Sequence, residues 1–266
     1  MPVIKELKTM DELKLMQQIE SRIWEMSPIP LHQTFTAVKN GGIVLAAFEK
    51  GGIIGFCYGF AGFKNGESYL CSHMLAIDPE YRSRNVGAKL KMRQREVAID
   101  KGYDLMTWTY DPLETRNAYL NLTKLNAVCN TYIENCYGEM TDGMNKGLPS
   151  DRFEVHWHLK SDYLSEDEPL DVSGAVPLNI VRNNSGGLLE FVSDDHNELN
   201  ARAYSLAVPK NFQKLKSENP SLALDWRLKT REKFQELFLA GYSAVHLVPY
   251  DGHAEYIFLK IGDLNL

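Results

Sequence analysis

The chain has 266 residues, of which 44% are hydrophobic and 24% are charged, and its formal net charge is −6. This composition is typical of a globular protein and excludes a disordered chain or a collagen. The acidic balance argues against a nucleic-acid partner. No run of about 18 apolar residues is present, so we expect no membrane partner. The charged N-terminal residues differ from a signal peptide, and we therefore expect a cytoplasmic protein.

Strand and helix patterns alternate through the first 160 residues. Thr9 forms a capping box with Glu12, which predicts a helix that stops before Pro28. A second helix is predicted over residues 86–101, and Asp111 is predicted to cap a third. The predicted strands cover residues 3–7, 42–48, 53–60, 69–77, 105–110, 128–132 and 153–159.

An acidic stretch from Ser161 to Pro177, which contains two prolines, is predicted to divide the chain. We interpret residues 161–176 as a linker between a domain at 1–160 and an α/β extension at 177–266. The extension is predicted to have strands at 188–192, 203–208, 243–248 and 254–260, the last two forming a hairpin around Asp251-Gly252. Its helix, over residues 220–240, has a broad apolar face that we expect to pack against the first domain.

The cysteines and histidines are predicted to have structural roles. Cys57, Cys71, Cys129 and Cys136 form no C-x-x-C pair, and three of them lie in apolar stretches, as small buried side chains do. His156 and His158 are two residues apart on a predicted strand, and two ligands do not make a zinc site. We therefore expect no metal.

The stretch from His73 to Gly102 runs from an apolar strand through a short loop into a helix. Seven Lys or Arg residues lie between residues 82 and 101, against Glu96 and Asp100. The first turn of a helix carries unsatisfied N–H groups and the positive end of the helix dipole, so it attracts phosphate. The pattern favours an anion-binding site, and a solvated helix face is the alternative.

The spacing Ile77-x4-Arg82-x-x-Asn85-x-Gly87-Ala88 resembles the acyl-CoA signature of the GNAT acyltransferase superfamily. The order of the predicted elements is similar as well, over about residues 1–160. The resemblance implies an α+β fold with a mixed, mostly antiparallel central sheet flanked by helices, followed here by the smaller C-terminal α/β segment. Weaker similarity, to a poorly characterised predicted-acetyltransferase subgroup, extends to the C-terminus.

The same resemblance implies which residues contact acetyl-CoA, or another acyl-CoA. They are Leu75, Ala76, Ile77, Arg82, Ser83, Arg84, Asn85, Val86, Gly87, Ala88 and Asn117. Asn85 occupies a position where the family usually has glycine. Because asparagine tolerates a positive φ better than other non-glycine residues, we predict that Asn85 adopts one. Asn126, in the sequence KLNA, replaces a second family glycine in the same way.

The downstream resemblance places Leu122 where many family members have a tyrosine that acts as a general acid. Tyr110 and Tyr119 are nearby in sequence and are the candidate substitutes. His73, four residues before Ile77, is the candidate base, since an ordinary histidine titrates near pH ~6.5. Trp108 and Asp111 are candidate substrate-binding residues, although a helix cap also explains Asp111.

Two functions remain open from the sequence. One is an acyl-CoA-dependent N-acyltransferase that passes an acetyl group directly to an amine of unknown identity. The other is a non-catalytic acyl-CoA-binding or sensor module whose C-terminal segment binds a partner. The expected partners are an acyl-CoA and, for the enzyme, an amine acceptor. The oligomeric state is left open, a homodimer included.

Overall fold

The computed structural model describes residues 2–24, 27–82, 84–140, 146–164, 174–193 and 198–266. The chain forms two compact units, the first made of Met1–Trp108 with Trp157–Lys160 and the second of Thr109–His156 with Ser161–Leu266. This division differs from the predicted one, in which a domain at 1–160 is followed by a linker at 161–176 and an extension at 177–266. Residues 109–156 group with the C-terminal residues because their strands pair with them. The predicted linker lies largely outside the described residues.

The described residues of the first unit form three α-helices and a sheet. Its elements are β1 (Val3–Glu6), α1 (Met10–Trp24), α2 (Leu31–Lys39), β2 (Ile43–Glu49), β3 (Gly52–Lys64), β4 (Glu67–Ile77), α3 (Val86–Asp100) and the start of β5 (Leu105–Tyr110). Strands β1 to β4 pair in order as antiparallel neighbours, and β5 joins β4 in parallel. The predicted mixed, mostly antiparallel sheet with flanking helices is confirmed.

Helix α1 forms where its capping box and apolar spacing predict it. The Glu12 carboxylate accepts the Thr9 backbone N–H at 2.9 Å, and the Thr9 hydroxyl accepts the Glu12 N–H at 3.3 Å. Leu13, Met16 and Ile19, all on one face, are fully buried against the sheet. Helix α2 was not predicted, because it follows two prolines and has no side-chain N-cap.

Strand β4 contains one residue more than its partner β3 requires. Tyr58 pairs with Met74 and Phe60 pairs with Cys71, so Ser72 and His73 both lie opposite Gly59. Such a bulge changes the face to which the following side chains point. Ser72 accordingly points toward α3, whereas Ala76 packs in the core under α1 and α2.

The described pairing of β4 with β5 ends directly before the bulge. It is parallel and joins Leu70 to Met106 and Cys71 to Thr107. Strand β4 then continues to Ile77, with α3 beginning nine residues later. Within the described residues, the stretch from Ser72 to Ile77 thus has no pairing with β5. We call this edge the strand opening, and the predicted anion-binding loop follows it directly.

The second unit contains the remaining elements. They are α4 (Thr115–Ala118), β6 (Val128–Ile133), most of β7 (Arg152–His158), β8 (Val176–Pro177), β9 (Asn179–Asn183), β10 (Leu189–Ser193), β11 (Ala203–Pro209), α5 (Phe212–Glu218), α6 (Pro220–Leu239), β12 (Tyr242–Pro249) and β13 (His253–Lys260). The strand order is β7-β6-β12-β13-β11-β8, while β9 and β10 form a separate hairpin. The predicted hairpin at Asp251-Gly252 is confirmed as β12 and β13, with Gly252 at a φ of 85°.

The helix predicted after Asp111 forms only in part. The Asp111 carboxylate accepts the Leu113 N–H at 2.8 Å and so closes a turn. The four-residue α4 follows and continues as a π-helix, Tyr119–Lys124. The sequence carries no clear signal for this widened turn, because π-type hydrogen bonding has no simple residue pattern.

Helix α6 buries the apolar face that the sequence predicts. Ala223, Trp226, Phe234 and Leu237 are fully buried, and the Phe234 ring lies 4.6 Å from that of Phe153 on β7. The C-terminal residues also add strand β12 to β6, where Ala244 pairs with Cys129. Phe153 and strand β6 both fall within residues 1–160, the part of the chain on which the extension is expected to pack.

Gly59 is required where β3 meets the β4 bulge. A Cβ atom there would lie 2.9 Å from the Cys71 carbonyl oxygen and 3.2 Å from Gln94 Nε2. We expect Gly59→Ala to lower the free energy of unfolding by about 1–3 kcal/mol, because the backbone oxygen must move. Gly52→Ala, in the same strand but with its nearest atom at 3.9 Å, should change it by less than about 0.5 kcal/mol in urea titration. Equal effects of the two substitutions would contradict the close approach at the bulge.

Candidate functional site

The loop between β4 and α3 folds back on the end of β4. An Asp78 carboxylate oxygen accepts the Glu80 N–H at 3.1 Å and begins a short 3₁₀ turn, Pro79–Tyr81. The Arg82 Nε donates to the Ile77 carbonyl at 3.2 Å. These two bonds fix the path of the predicted signature from its first residue, Ile77, to its arginine. Ser83 lies outside the described residues.

Asn85 turns the chain into α3 with a left-handed backbone. Its φ is 61° and its ψ is 19°, which confirms the predicted positive φ, and Asn126 has a φ of 50°. The Lys89 N–H donates to the Asn85 carbonyl at 3.2 Å as the helix begins. The first-turn amides of Val86, Gly87 and Ala88 have no acceptor within an α-helix, and such amides bind anions.

The charge around this loop is smaller than the sequence count implies. Arg84 lies 3.5 Å from the Glu49 carboxylate and 4.9 Å from the Tyr81 ring centre. Lys91 is buried, and Arg95 donates to the Leu159 carbonyl at 2.5 and 3.1 Å. In the described part of the loop and the first turn of α3, Arg82 and Arg84 are exposed cations and Lys89 is half-buried.

His73 lies in the bulge of β4, next to the strand opening. The residue is exposed, and its ring packs edge-on against Phe60 at 5.7 Å and Tyr58 at 6.2 Å. Desolvation by these rings lowers the pKa of His73 below 6.5. The imidazole is therefore neutral at neutral pH, which is the state that accepts a proton.

Trp108, at the end of the first unit's part of β5, covers the buried ammonium of Lys91. The Lys91 Nζ lies 3.3 Å from the centre of the Trp108 ring, and the Trp157 ring packs edge-on against Trp108 at 6.0 Å. The sequence counts Lys91 among the cations around the predicted anion site and so misses its burial. Ala98, seven residues further along and on the same helix face, is fully buried and was the available signal.

The other catalytic candidates belong to the second unit. Tyr110 is 5% exposed, and its hydroxyl oxygen lies 3.3 Å from that of Tyr256. Burial raises the pKa of Tyr110 well above 10, so its phenol is a weak acid within a core. Tyr119 is half-buried at the start of the π-helix. Leu122, at the position of the family tyrosine, is fully buried.

Asp111 and Asn117 also lie in the second unit. One Asp111 carboxylate oxygen accepts from Arg227 at 2.5 Å and lies 3.9 Å from Arg152 Nη1. This ion pair with a buried arginine explains the position of Asp111 without a substrate. Asn117 is exposed in α4, and its N–H donates to the Glu114 carbonyl at 2.9 Å.

The cysteines are buried to different degrees. Cys57 and Cys129 are fully buried, and Cys71 and Cys136 partly so. Burial raises the pKa of Cys57 to about 12, which leaves a neutral thiol. Among the residues that the structure describes, no three His, Cys, Asp or Glu side chains are grouped to hold a metal ion. No helix of the described ranges is long and apolar enough to span a membrane.

Residues 9–120 match the model of the Acetyltransferase (GNAT) family. A search of curated proteins gave no match. Similar solved structures include an N-acetyltransferase from Staphylococcus aureus Mu50, at 17% identity over 60% of this chain and 99% of that one, with a TM-score of 0.48. The ribosomal-protein-S18-alanine N-acetyltransferase from Escherichia coli is 18% identical over 60% and 94% of the two chains, with a TM-score of 0.47. A Salmonella typhimurium protein solved with its cofactor acetyl-CoA is 14% identical over 60% and 94%, with a TM-score of 0.47.

Over residues 9–120 the chain is therefore similar to a transferase domain. More particularly, this part of the chain matches an acetyltransferase domain of the GNAT family.

The left-handed turn at Asn85 can be tested by two substitutions. Asn85→Gly should keep or slightly raise the free energy of unfolding, because glycine has no Cβ penalty at positive φ. Asn85→Ala should lower it by about 1 kcal/mol, because alanine tolerates this backbone less well. Urea titration gives the stabilities, and calorimetric titration with acetyl-CoA gives the affinities. A clear loss of both in Asn85→Gly would show that the asparagine side chain, and not its backbone, is what the loop needs.

Proposed function

We propose that this protein transfers an acetyl group from acetyl-CoA to an amine. The observation that carries the proposal is the left-handed turn at Asn85, which starts α3 directly beyond the separated end of β4. It puts first-turn amides and the side chains of Arg82 and Arg84 in one loop. Amides at a helix start and arginine side chains suit the phosphates of a CoA. A cytoplasmic location and the absence of a nucleic-acid or membrane partner remain predictions.

The residues of β4 would bind the reacting end of the donor. Acetyl-CoA, when bound, supplies the thioester carbon that an amine attacks. The stretch Leu75–Ile77 runs along the edge of β4 beyond its pairing with β5. A backbone N–H on that edge is a suitable donor for the oxyanion that develops on the carbonyl oxygen.

His73 would accept the proton of the attacking amine. It lies on the same strand, two residues before Leu75, and its exposed side makes it accessible. Because its pKa is below 6.5, it is neutral and ready to accept a proton across the neutral pH range. Tyr110 is a poorer candidate for any proton transfer, because its hydroxyl is buried and bonded to Tyr256.

One observation favours a different function, that of a non-catalytic acyl-CoA-binding module. Leu122 stands where the family usually has its acid, and it is fully buried as a core residue. Both functions use the same acyl-CoA-binding loop, but only the transferase converts acetyl-CoA to free thiol. Release of free thiol from acetyl-CoA in the presence of a panel of amines supports the transferase, whereas binding without thiol release supports the module.

Cofactor binding by the loop can be tested at Gly87. We expect Gly87→Trp to abolish the heat of acetyl-CoA binding in calorimetric titration, because an indole would fill the space at the first-turn amides. Met92→Trp puts the same side chain on the exposed face of the same helix and should bind as the parent chain does. Circular dichroism checks that both variants fold. Undiminished affinity in a folded Gly87→Trp variant would remove the loop from the proposed site.

If His73 is the base, its substitution should change both kcat and the pH dependence of kcat/KM. His73→Asn should lower kcat by about 10²–10⁴-fold, the usual contribution of a general base. In the parent chain kcat/KM should rise with pH through the lowered pKa of His73, so the acidic limb lies below pH 6.5. That limb should be absent from the variant. His253→Asn, in the second unit, should leave the rate and the limb in place, and an unchanged profile in His73→Asn would exclude His73 as the base.

A further inference from the structure

Lys91 is a lysine buried inside the first unit. It is 2% exposed, and its Nζ donates to the Ser72 hydroxyl at 2.8 Å. The same Nζ lies 3.3 Å from the centre of the Trp108 ring and 5.8 Å from that of Trp157. Within the part of the chain that the structure describes, no carboxylate forms a salt bridge with it. The ammonium is thus held by one hydroxyl and by aromatic rings.

Packing alone does not explain a lysine at this position. Burial lowers the pKa of Lys91 from 10.5 to about 7. The titratable groups that face it are the thiols of Cys57 on β3 and Cys71 on β4. The Cys57 thiol supplies no fixed counter-charge, because burial leaves it neutral. An apolar side chain of similar length would avoid the cost of burying an ammonium that no carboxylate of the described residues neutralises.

The contacts of Lys91 join the three elements around the strand opening. Ser72, its hydrogen-bond acceptor, is one of the two bulge residues of β4 and donates in turn to Gln94 Oε1 at 2.7 Å. Trp108 lies on β5, one residue beyond Thr107, where the described pairing of β4 and β5 ends. Lys91 itself is on α3, six residues after Asn85. The ammonium therefore ties both separated strands to the helix whose start forms the proposed phosphate site.

We propose that the Lys91 ammonium is a positioning group for the acyl-CoA donor, holding Ser72 of β4 and Trp108 of β5 at the separation that the bound thioester needs. The inference rests on the proposed function of the same domain. It assigns no contact between Lys91 and the donor, and it differs from a packing role in requiring the positive charge.

The charge requirement predicts a pH dependence with a definite sign. Below pH 7 the ammonium is attracted to the face of Trp108, and as the pH rises through about 7 the neutral amine loses that attraction. The affinity of the parent chain for acetyl-CoA, divided by that of Lys91→Met, should therefore fall as the pH rises. The phosphates of acetyl-CoA also titrate, but their effect on the affinity is the same for both proteins and therefore cancels in this ratio.

The experiment is calorimetric titration with acetyl-CoA at about pH 6 and about pH 8.5, on either side of the expected transition. We expect Lys91→Met to bind at least about tenfold more weakly than the parent chain at the lower pH and within about twofold of it at the higher. Lys64→Met, at the exposed end of β3, is the matched control and should bind as the parent chain does at both. A folded Lys91→Met with the parent affinity at both pH values overturns the inference, as does an equal loss at both.

Thermal unfolding separates the positioning role from a folding defect. The unfolded chain protonates Lys91 up to about pH 10.5 and the folded chain only up to about 7. The unfolded state thus binds more protons in that window, so the contribution of Lys91 to stability rises with pH there. Lys91→Met should lack this rise and should unfold at a higher temperature than the parent chain at neutral pH.

A second variant keeps the test decisive if Lys91→Met does not fold. Ser72→Ala retains the lysine and removes its hydroxyl partner, and it should also weaken acetyl-CoA binding at about pH 6. Parent-like binding by folded Ser72→Ala would overturn the inference. A parent chain that does not bind acetyl-CoA at all would instead overturn the proposed function, and the inference with it, whereas the Lys91 results above bear on the inference alone.

Discussion

The extra residue in β4 is the constraint on which the first unit's site depends. Because Ser72 and His73 together oppose Gly59, the alternation of side chains reverses at that point. Ser72 then points to α3, while His73 reaches the rings of Tyr58 and Phe60. The same irregularity comes at the end of the pairing with β5. A regular strand would pair further along β5 and would leave no free edge beside the loop.

The two units treat buried positive charge in different ways. In the second unit, Arg227 is paired with Asp111 at 2.5 Å, and Arg231 makes two bonds of 2.9 Å to Asp151. These are charge-assisted pairs in which the buried Arg227 and the partly exposed Arg231 each have a carboxylate partner. Lys91 in the first unit has a hydroxyl and two indole rings instead. A cation held in this way keeps a titration near neutral pH, which the arginine pairs cannot provide.

The sequence predicts those features of the fold that depend on local chemistry. Thr9 and Glu12 define the start of α1 through two short-range bonds, and Asn85 and Asn126 adopt the positive φ expected where glycine is usual. What the sequence does not predict depends on contacts between distant residues. The burial of Lys91 depends on Ser72 and Trp108, and the grouping of β6 with the C-terminal residues depends on its pairing with β12. Neither has a periodic signature, and a lysine on a charged helix is by pattern an exposed one.

With the buried Leu122 in place of the family tyrosine, the proposed reaction has no acid at that position to protonate the leaving thiolate. A thiol has a pKa near ~8.5 and an alkylamine one near ~10.4, so a thiolate leaves without much help, whereas the amine must lose a proton before it attacks. The proposed reaction therefore needs a base near β4, and His73, whose pKa is lowered by burial, is the residue that we propose for this role. A tyrosine at position 122 would place its hydroxyl where the Leu122 side chain is now fully buried. Replacing the acid by a core leucine therefore lowers the reaction rate least when the leaving group, here a thiolate, is already a weak base.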